Sequence, residues 1–370
     1  MTDTQQTTTE DGQERLPVSV LTGFLGSGKT TLLKALLKHP AMDETAVVIN
    51  EFGEVGLDHL LVEQSSEDTI VMDSGCLCCT IRGDLIETLR NLIRRRWNGE
   101  IPPFKRLVIE TTGLADPAPI LHTLMTDPVI STRYRLDGVI TTVDAVNGAL
   151  QLDQNPESVK QAAVADRILV TKTDMIQGPN PDRLDERLRA LNPAARIMAV
   201  SHGNVDPDIL FDAGLYNPAT KAPDVERWLQ EEAYADGHGH NHHHHGEHDH
   251  HHDVNRHDDQ IRSFCITYDK PIDWDAFVEW IEALISVHGN NLLRIKGILN
   301  VMQAEGPVAI HGVQHVFHPP AVLPEWTTED RTSKIVMITR GISKQPVEEM
   351  LVAFLNAAAQ SRQAEPQAGQ

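Results

Sequence analysis

The chain has 370 residues, 40% of them hydrophobic and 23% charged, with a formal net charge of -21. That length allows more than one domain of roughly 100–200 residues, and the acidic balance speaks against nucleic acid or anionic lipid as default partners. No apolar run reaches the roughly 18 residues of a membrane span, and Thr7, Thr8, Thr9, Glu10 and Asp11 stand where a signal peptide would carry basic and apolar regions. A cytoplasmic protein with no membrane partner is the expectation.

From Pro17 to Leu215 short apolar runs alternate with amphipathic stretches. Val18–Leu21, Ala46–Ile49, Ile70–Met72, Arg106–Ile109, Gly138–Val143, Arg167–Val170 and Arg196–Val200 read as buried strands. Thr31–Leu37, Leu85–Ile93, Pro117–Met125 and Pro181–Leu191 read as helices. This alternation predicts an α/β fold, a mostly parallel sheet covered on both faces. Arg94-Arg95-Arg96 suits the last turn of a helix, where cations complement the dipole.

Between the first strand and the first helix lies Gly23-Phe24-Leu25-Gly26-Ser27-Gly28-Lys29-Thr30, followed by Thr31. Glycines at this spacing let successive amides curl around phosphates, at the positive end of a helix dipole. Lys29 reaches the β- and γ-phosphates in such a loop and Thr30 holds magnesium. Further on, Glu110 ends a buried strand before Thr111-Thr112-Gly113, where a carboxylate can hold the same magnesium and Gly113 can offer an amide. Thr171-Lys172-Thr173-Asp174 ends another strand, and its carboxylate can accept both N1–H and the 2-amino group of guanine. The nucleotide is therefore read as GTP, with Lys172 along the base, and Lys29, Thr30 and Glu110 as the catalytic set.

Asp73-Ser74-Gly75-Cys76-Leu77-Cys78-Cys79-Thr80 follows the strand at Ile70. Thiolates this crowded make poor disulfides but can hold a soft or borderline divalent ion. With Cys265 the only other cysteine, the set is an incomplete site, suited to a metal that must leave again. Glu54, in Asn50-Glu51-Phe52-Gly53-Glu54, is a further ligand candidate in the region where P-loop GTPases sense the γ-phosphate.

Residues 216–260 read as a linker. Its stretch from Asp236 to Asp258 carries His238, His240, His242, His243, His244, His245, His248, His250, His251 and His252 among acids and glycines, and has almost nothing apolar to bury. Neutral imidazoles in bulk suit a weak, unselective metal reservoir. His39 and His122 read as ordinary helix or surface residues, whereas His311, His315 and His318 form a cluster on the C-terminal side of the linker. On that side Ile261–Thr267, Leu292–Leu299, Val308–Val313 and Lys334–Ile338 read as strands, and Ile272–Val287 and Val347–Ala358 as helices. They predict a smaller α+β domain at 261–358, with 1–16 and 359–370 as disordered tails.

The phosphate loop, Asn50-Glu51-Phe52-Gly53-Glu54, Gly75-Cys76-Leu77-Cys78-Cys79 and Glu110-Thr111-Thr112-Gly113 together resemble the CobW-type metallochaperone GTPases, relatives of the nickel-insertion GTPases of hydrogenase and urease. The resemblance runs from Pro17 to Ala358. It implies a GTPase that binds a transition metal at the cysteines and hands it to an apo-metalloprotein client. Zinc is the metal implied, with cobalt for cobalamin synthesis as the rival. It further implies that Cys79, Thr80, Ile81, Arg82 and Gly83 run along the nucleotide, coupling it to the metal, and it is compatible with a nucleotide-dependent homodimer. A metal-storage or sensing protein built on the histidines is the alternative from another class.

Overall fold

The structure is a computed structural model that describes residues 15–50, 70–73, 81–176, 182–211, 261–326 and 329–364. The chain divides into two units, Met1–Arg189 with Ala195–Asn217, and Ala190–Ala194 with Pro218–Gln370.

In the first unit the buried apolar runs form β1 (Leu16–Gly23), β2 (Thr45–Asn50), β3 (Ile70–Asp73), β4 (Arg106–Thr111), β5 (Tyr134–Asp144), β6 (Arg167–Thr171) and β7 (Arg196–Ala199). They make one seven-stranded sheet in the order β3-β2-β4-β1-β5-β6-β7, and every pairing in it is parallel. Leu21, Val47, Val108, Ile140 and Leu169 share one core with Leu32, Leu33 and Leu36 of α1 (Lys29–Leu36). Val20, Val48, Ile109, Val139 and Ile168, of opposite parity, are equally buried. Both faces are covered, which is why these strands read as continuous apolar runs.

The remaining helices are α2 (Ile81–Trp97), α3 (Ala118–Thr126), α4 (Pro128–Arg133), α5 (Gly148–Gln154), α6 (Pro156–Ala163), α7 (Asp182–Leu191) and α8 (Pro207–Leu210). Arg94, Arg95 and Arg96 occupy the last turn of α2, as the dipole argument expects. The sequence pattern did not reveal α4, α5 and α6. They are eight residues or shorter, too short for a helical period to stand out. Their start signals are local: proline opens α4 and α6, and the Asp127 carboxylate accepts from the amides of Val129 and Ile130 to cap α4.

The second unit holds β8 (Ile261–Tyr268), α9 (Trp274–His288), β9 (Leu292–Leu299), β10 (Val308–Val313), β11 (Val316–Phe317), β12 (Ala321–Val322), β13 (Ser333–Arg340) and α10 (Lys344–Ala364). The sheet runs β11-β10-β9-β13-β8 with β12 beside β10, and its pairings are antiparallel. Phe264, Ile266, Ile295, Ile335 and Met337 pack one face against Phe277, Trp280 and Leu284 of α9 and Leu351 and Leu355 of α10.

Two expected boundaries move. Leu16 already belongs to β1, not to a tail. At the other end α10 continues past Ala358 to Ala364. The added turns are polar and show no apolar period, but Arg362 reaches Asp273 at 3.0 Å and holds them down.

Candidate functional site

The phosphate loop turns at the end of β1 because Gly23 can do what no other residue can there. Its φ is 140°, and a Cβ would stand 2.3 Å from Thr142 Oγ1 and 2.4 Å from the Thr142 carbonyl oxygen. Ser27 N–H donates back to the Phe24 carbonyl at 3.1 Å, and Gly28 caps α1. Lys29 Nζ donates to the carbonyls of Gly23 (2.8 Å) and Phe24 (3.2 Å), so the ammonium is held inside the loop's curve. Thr30 Oγ1 donates to Glu110 Oε1 at 3.0 Å, joining the start of α1 to the end of β4. A hydroxyl and a buried carboxylate side by side are hard oxygen donors of the type that magnesium selects.

Beneath the loop runs a set of buried hydroxyls. Ser27 Oγ and Thr142 Oγ1 lie 2.6 Å apart, Thr142 Oγ1 donates to the Thr22 carbonyl (3.3 Å), and Thr111 Oγ1 donates to Thr22 Oγ1 (2.8 Å). Thr171 Oγ1 donates to the Ser27 carbonyl at 2.6 Å and lies 3.2 Å from the Val143 carbonyl. Thr171, the first residue of the Thr171-Lys172-Thr173-Asp174 motif, thus fastens the phosphate loop. Gly113 is pressed onto the loop from the other side: a Cβ there would sit 2.6 Å from Leu25 N. Gln161 Nε2 anchors that approach by donating to the carbonyls of Gly113 (3.1 Å) and Ala115 (2.9 Å), and Lys160 pairs with Asp116 at 2.7 Å.

Just past the end of β6, Lys172 has φ 57°. Its Nζ meets Asp144 Oδ2 at 2.7 Å, so the charge of Lys172 is spent on Asp144. Burial pushes the Asp144 pKa up, but the hydrogen bonds from Lys172, Asn147 and the Val146 amide outweigh it and leave it below the ordinary carboxylate range. Asp174 Oδ1 accepts from Ser201 Oγ (3.0 Å), and its Oδ2 lies 3.7 Å from His202 Nε2.

Thr142, Asp144, Gln161, Ser201 and His202 were absent from the sequence reading. Thr142 and Asp144 carried one legible signal, being polar residues near the C-terminal end of a buried strand. Gln161 lies on a helix too short to read, and Ser201 and His202 follow the last strand with no motif around them. His39 is ordinary, its Nδ1 accepting from the Ala41 amide, and His122 is buried in α3. The rings of His311 and His318 stand 5.1 Å apart.

Ile81, Arg82 and Gly83 form the first turn of α2. Glu54, Cys76, Cys78, Cys79, Thr80 and the histidines from His238 to His252 lie outside the described residues. Among the described residues no group of three or more His, Cys, Asp or Glu could hold a metal ion, and no helix is long and apolar enough to cross a membrane.

Comparison with known proteins decides the family. The CobW/HypB/UreG nucleotide-binding domain matches residues 17–199, and the cobalamin synthesis protein cobW C-terminal domain matches residues 261–355. The zinc chaperone YjiA of Escherichia coli (strain K12) is 34% identical over 339 residues, covering 92% of this chain and 98% of its own. The chain belongs to the CobW/HypB/UreG family. Within that family, the zinc chaperone CobW of Sinorhizobium sp is 28% identical over 80% of this chain and 84% of its own. The zinc-regulated GTPase metalloprotein activator 1 of Saccharomyces cerevisiae (strain ATCC 204508 / S288c) is 25% identical over 92% and 83%. The crystal structure of Zn(II)-bound YjiA GTPase from E. coli superposes with a TM-score of 0.65 at 30% identity, covering 92% of this chain and 99% of that one. That match spans both the α/β unit and the antiparallel C-terminal unit of this chain.

Proposed function

We propose that this CobW/HypB/UreG-family chain is a GTP-hydrolysing metallochaperone that binds zinc through Cys76, Cys78 and Cys79, with Glu54, and transfers it to apo-metalloprotein clients. One register carries the reading. Asp73, Ile49, Glu110 and Leu21 are successive partners across β3, β2, β4 and β1. The cysteine segment therefore departs from Asp73 two strands from Glu110, about 10 Å at the usual strand spacing, on the sheet edge where the phosphate loop begins. Zinc is the metal in the names of the relatives, including the one called CobW, which favours zinc over cobalt.

In this reading the amides of residues 23–30 and Lys29 Nζ receive the phosphates, and Thr30 and Glu110 hold magnesium, which when bound neutralises phosphate charge. Gly113 brings its amide to the loop's outer side, and Asp174 selects guanine. Loss of the γ-phosphate releases the segments that sense it, and with them the zinc. The histidine tract raises the local ion concentration. A cytoplasmic location and a nucleotide-dependent homodimer belong to the same reading, and the exposed Leu25 and Leu114 at the mouth of the loop support the dimer.

Competitive zinc titration in Mg²⁺-GTP and in GDP, on wild type and Cys78→Ala/Cys79→Ala, tests it. The expected result is tighter zinc in the GTP state and loss of that tight site in the variant. Equal affinities in the two nucleotide states would refute the coupling, because a ligand shifts an equilibrium only through differential binding.

A further inference from the structure

The basic end of α2 lies on the opposite edge of the sheet from the phosphate loop and takes no part in the chemistry above. Arg90, Arg94 and Trp97 are spaced four and three residues apart, hence on one helix face, and all three are exposed. Trp97 is 57% exposed, and the Arg133 guanidinium lies 4.6 Å from its ring centroid. Val129, on the same helix as Arg133, is 47% exposed. Arg90 pairs with the α4 cap Asp127 at 3.3 Å, and Arg94 donates to the neutral amide of Asn91 at 2.9 Å.

We propose that Arg90, Arg94, Trp97, Val129 and Arg133 form a docking surface for a short acidic segment of a partner protein, with an apolar side chain of that segment resting on Trp97 and Val129. Charge complementarity favours this occupant. In a chain of net charge -21 a concentrated arginine surface is the exception, and carboxylates are its complement. Arginine and tryptophan are also the side chains that most often anchor interfaces. Nucleic acid fits less well, because a long polyanion extends beyond a Debye length of roughly 8 Å from the patch across a chain of net charge -21, whereas a short carboxylate segment does not. The 17 residues of α2 span about 25 Å at the helical rise, so docking at Trp97 is separate from events at the cysteine end. The inference stands whether or not the metal proposed above is zinc.

The test is fluorescence anisotropy of a labelled random copolymer of glutamate and tyrosine with the full chain, alongside polyglutamate of equal length. Wild type should bind the copolymer more tightly than polyglutamate, and more weakly as salt rises. Arg94→Glu/Arg133→Glu should weaken it at least tenfold and Trp97→Ala several-fold, with GTP hydrolysis and melting temperature unchanged. Arg94→Gln supplies a milder variant, expected to weaken binding less than the charge reversal. No copolymer binding by wild type, equal binding by the variants, or displacement by duplex DNA at lower concentration than by polyglutamate would each overturn the proposal. So would self-association of wild type lost in Trp97→Ala, which would make a second copy the occupant.

Discussion

Thr171 and Gly113 show how single residues shape the phosphate loop, one by its hydroxyl and the other by lacking a side chain. The Thr171 hydroxyl, 2.6 Å from the Ser27 carbonyl, ties β6 to the loop from below. Thr171→Val keeps the shape and removes the bond, at a cost of about 1–1.5 kcal/mol. A rise in the GDP dissociation constant of roughly tenfold is expected in a titration with fluorescent nucleotide; an unchanged constant would mean the loop is held without it. The methyl of Gly113→Ala meets Leu25 Cδ2 and Leu25 N, both at 2.6 Å, and the backbone nitrogen cannot rotate aside as a side chain can. Hydrolysis should fall more than ten-fold while α1 and the core stay folded by circular dichroism. The motif residues Lys29, Thr30, Glu110 and Gly113 were legible because each must be of one chemical type at one offset. Gln161, which anchors Gly113, was not, because an amide on a helix face carries no such constraint.

At the scale of elements, Asp273 links three pieces of the second unit. Its carboxylate accepts from the Ala276 amide at the start of α9 (2.9 Å), from Gln303 (3.2 Å) and from Arg362 in α10 (3.0 Å). The Ala276 amide, opposed by burial and helped by Arg362 and Gln303, holds the Asp273 pKa below its ordinary value. A depressed carboxylate pKa contributes stability that is present above the unfolded value of about 3.9 and is lost as pH falls through the folded value. Asp273→Ala should therefore lower the melting temperature of the second unit at pH 7, by an amount equivalent to about 1–2 kcal/mol. The gap from wild type should narrow as pH falls below about 4; a gap independent of pH would assign the loss to packing. Strands and long helices were read with small boundary errors because burial on both faces makes the parallel strands continuous apolar runs and burial on one face gives the helices a period. The end of α10 was missed because Arg362 stabilises it through a residue 89 positions away, and no local pattern records that.

For the molecule as a whole, the two units have separate cores, one around Leu21, Leu33 and Val108, the other around Phe277, Trp280 and Met337. Nucleotide that binds only the folded first unit stabilises it by mass action, about 2.7 kcal/mol at a hundred times the dissociation constant. Calorimetry with Mg²⁺-GDP should raise one thermal transition and leave the other in place. A single transition shifted as a unit would show that the two cores unfold together.

The α/β class, the position of the phosphate loop, the succession of strands along the chain and the existence of a second α+β domain were all determined by the sequence itself. Phosphate binding demands glycine, lysine and threonine at set spacings, and buried parallel strands must be apolar throughout. Tertiary structure alone decided that Thr171 clamps Ser27, that Lys172 spends its charge on Asp144, and that Asp73 stands in register with Glu110. Those facts depend on strand order in the sheet, β3-β2-β4-β1-β5-β6-β7, which brings together residues far apart in the chain. A sequence displays spacing along itself, and the chemistry here depends on neighbours across strands.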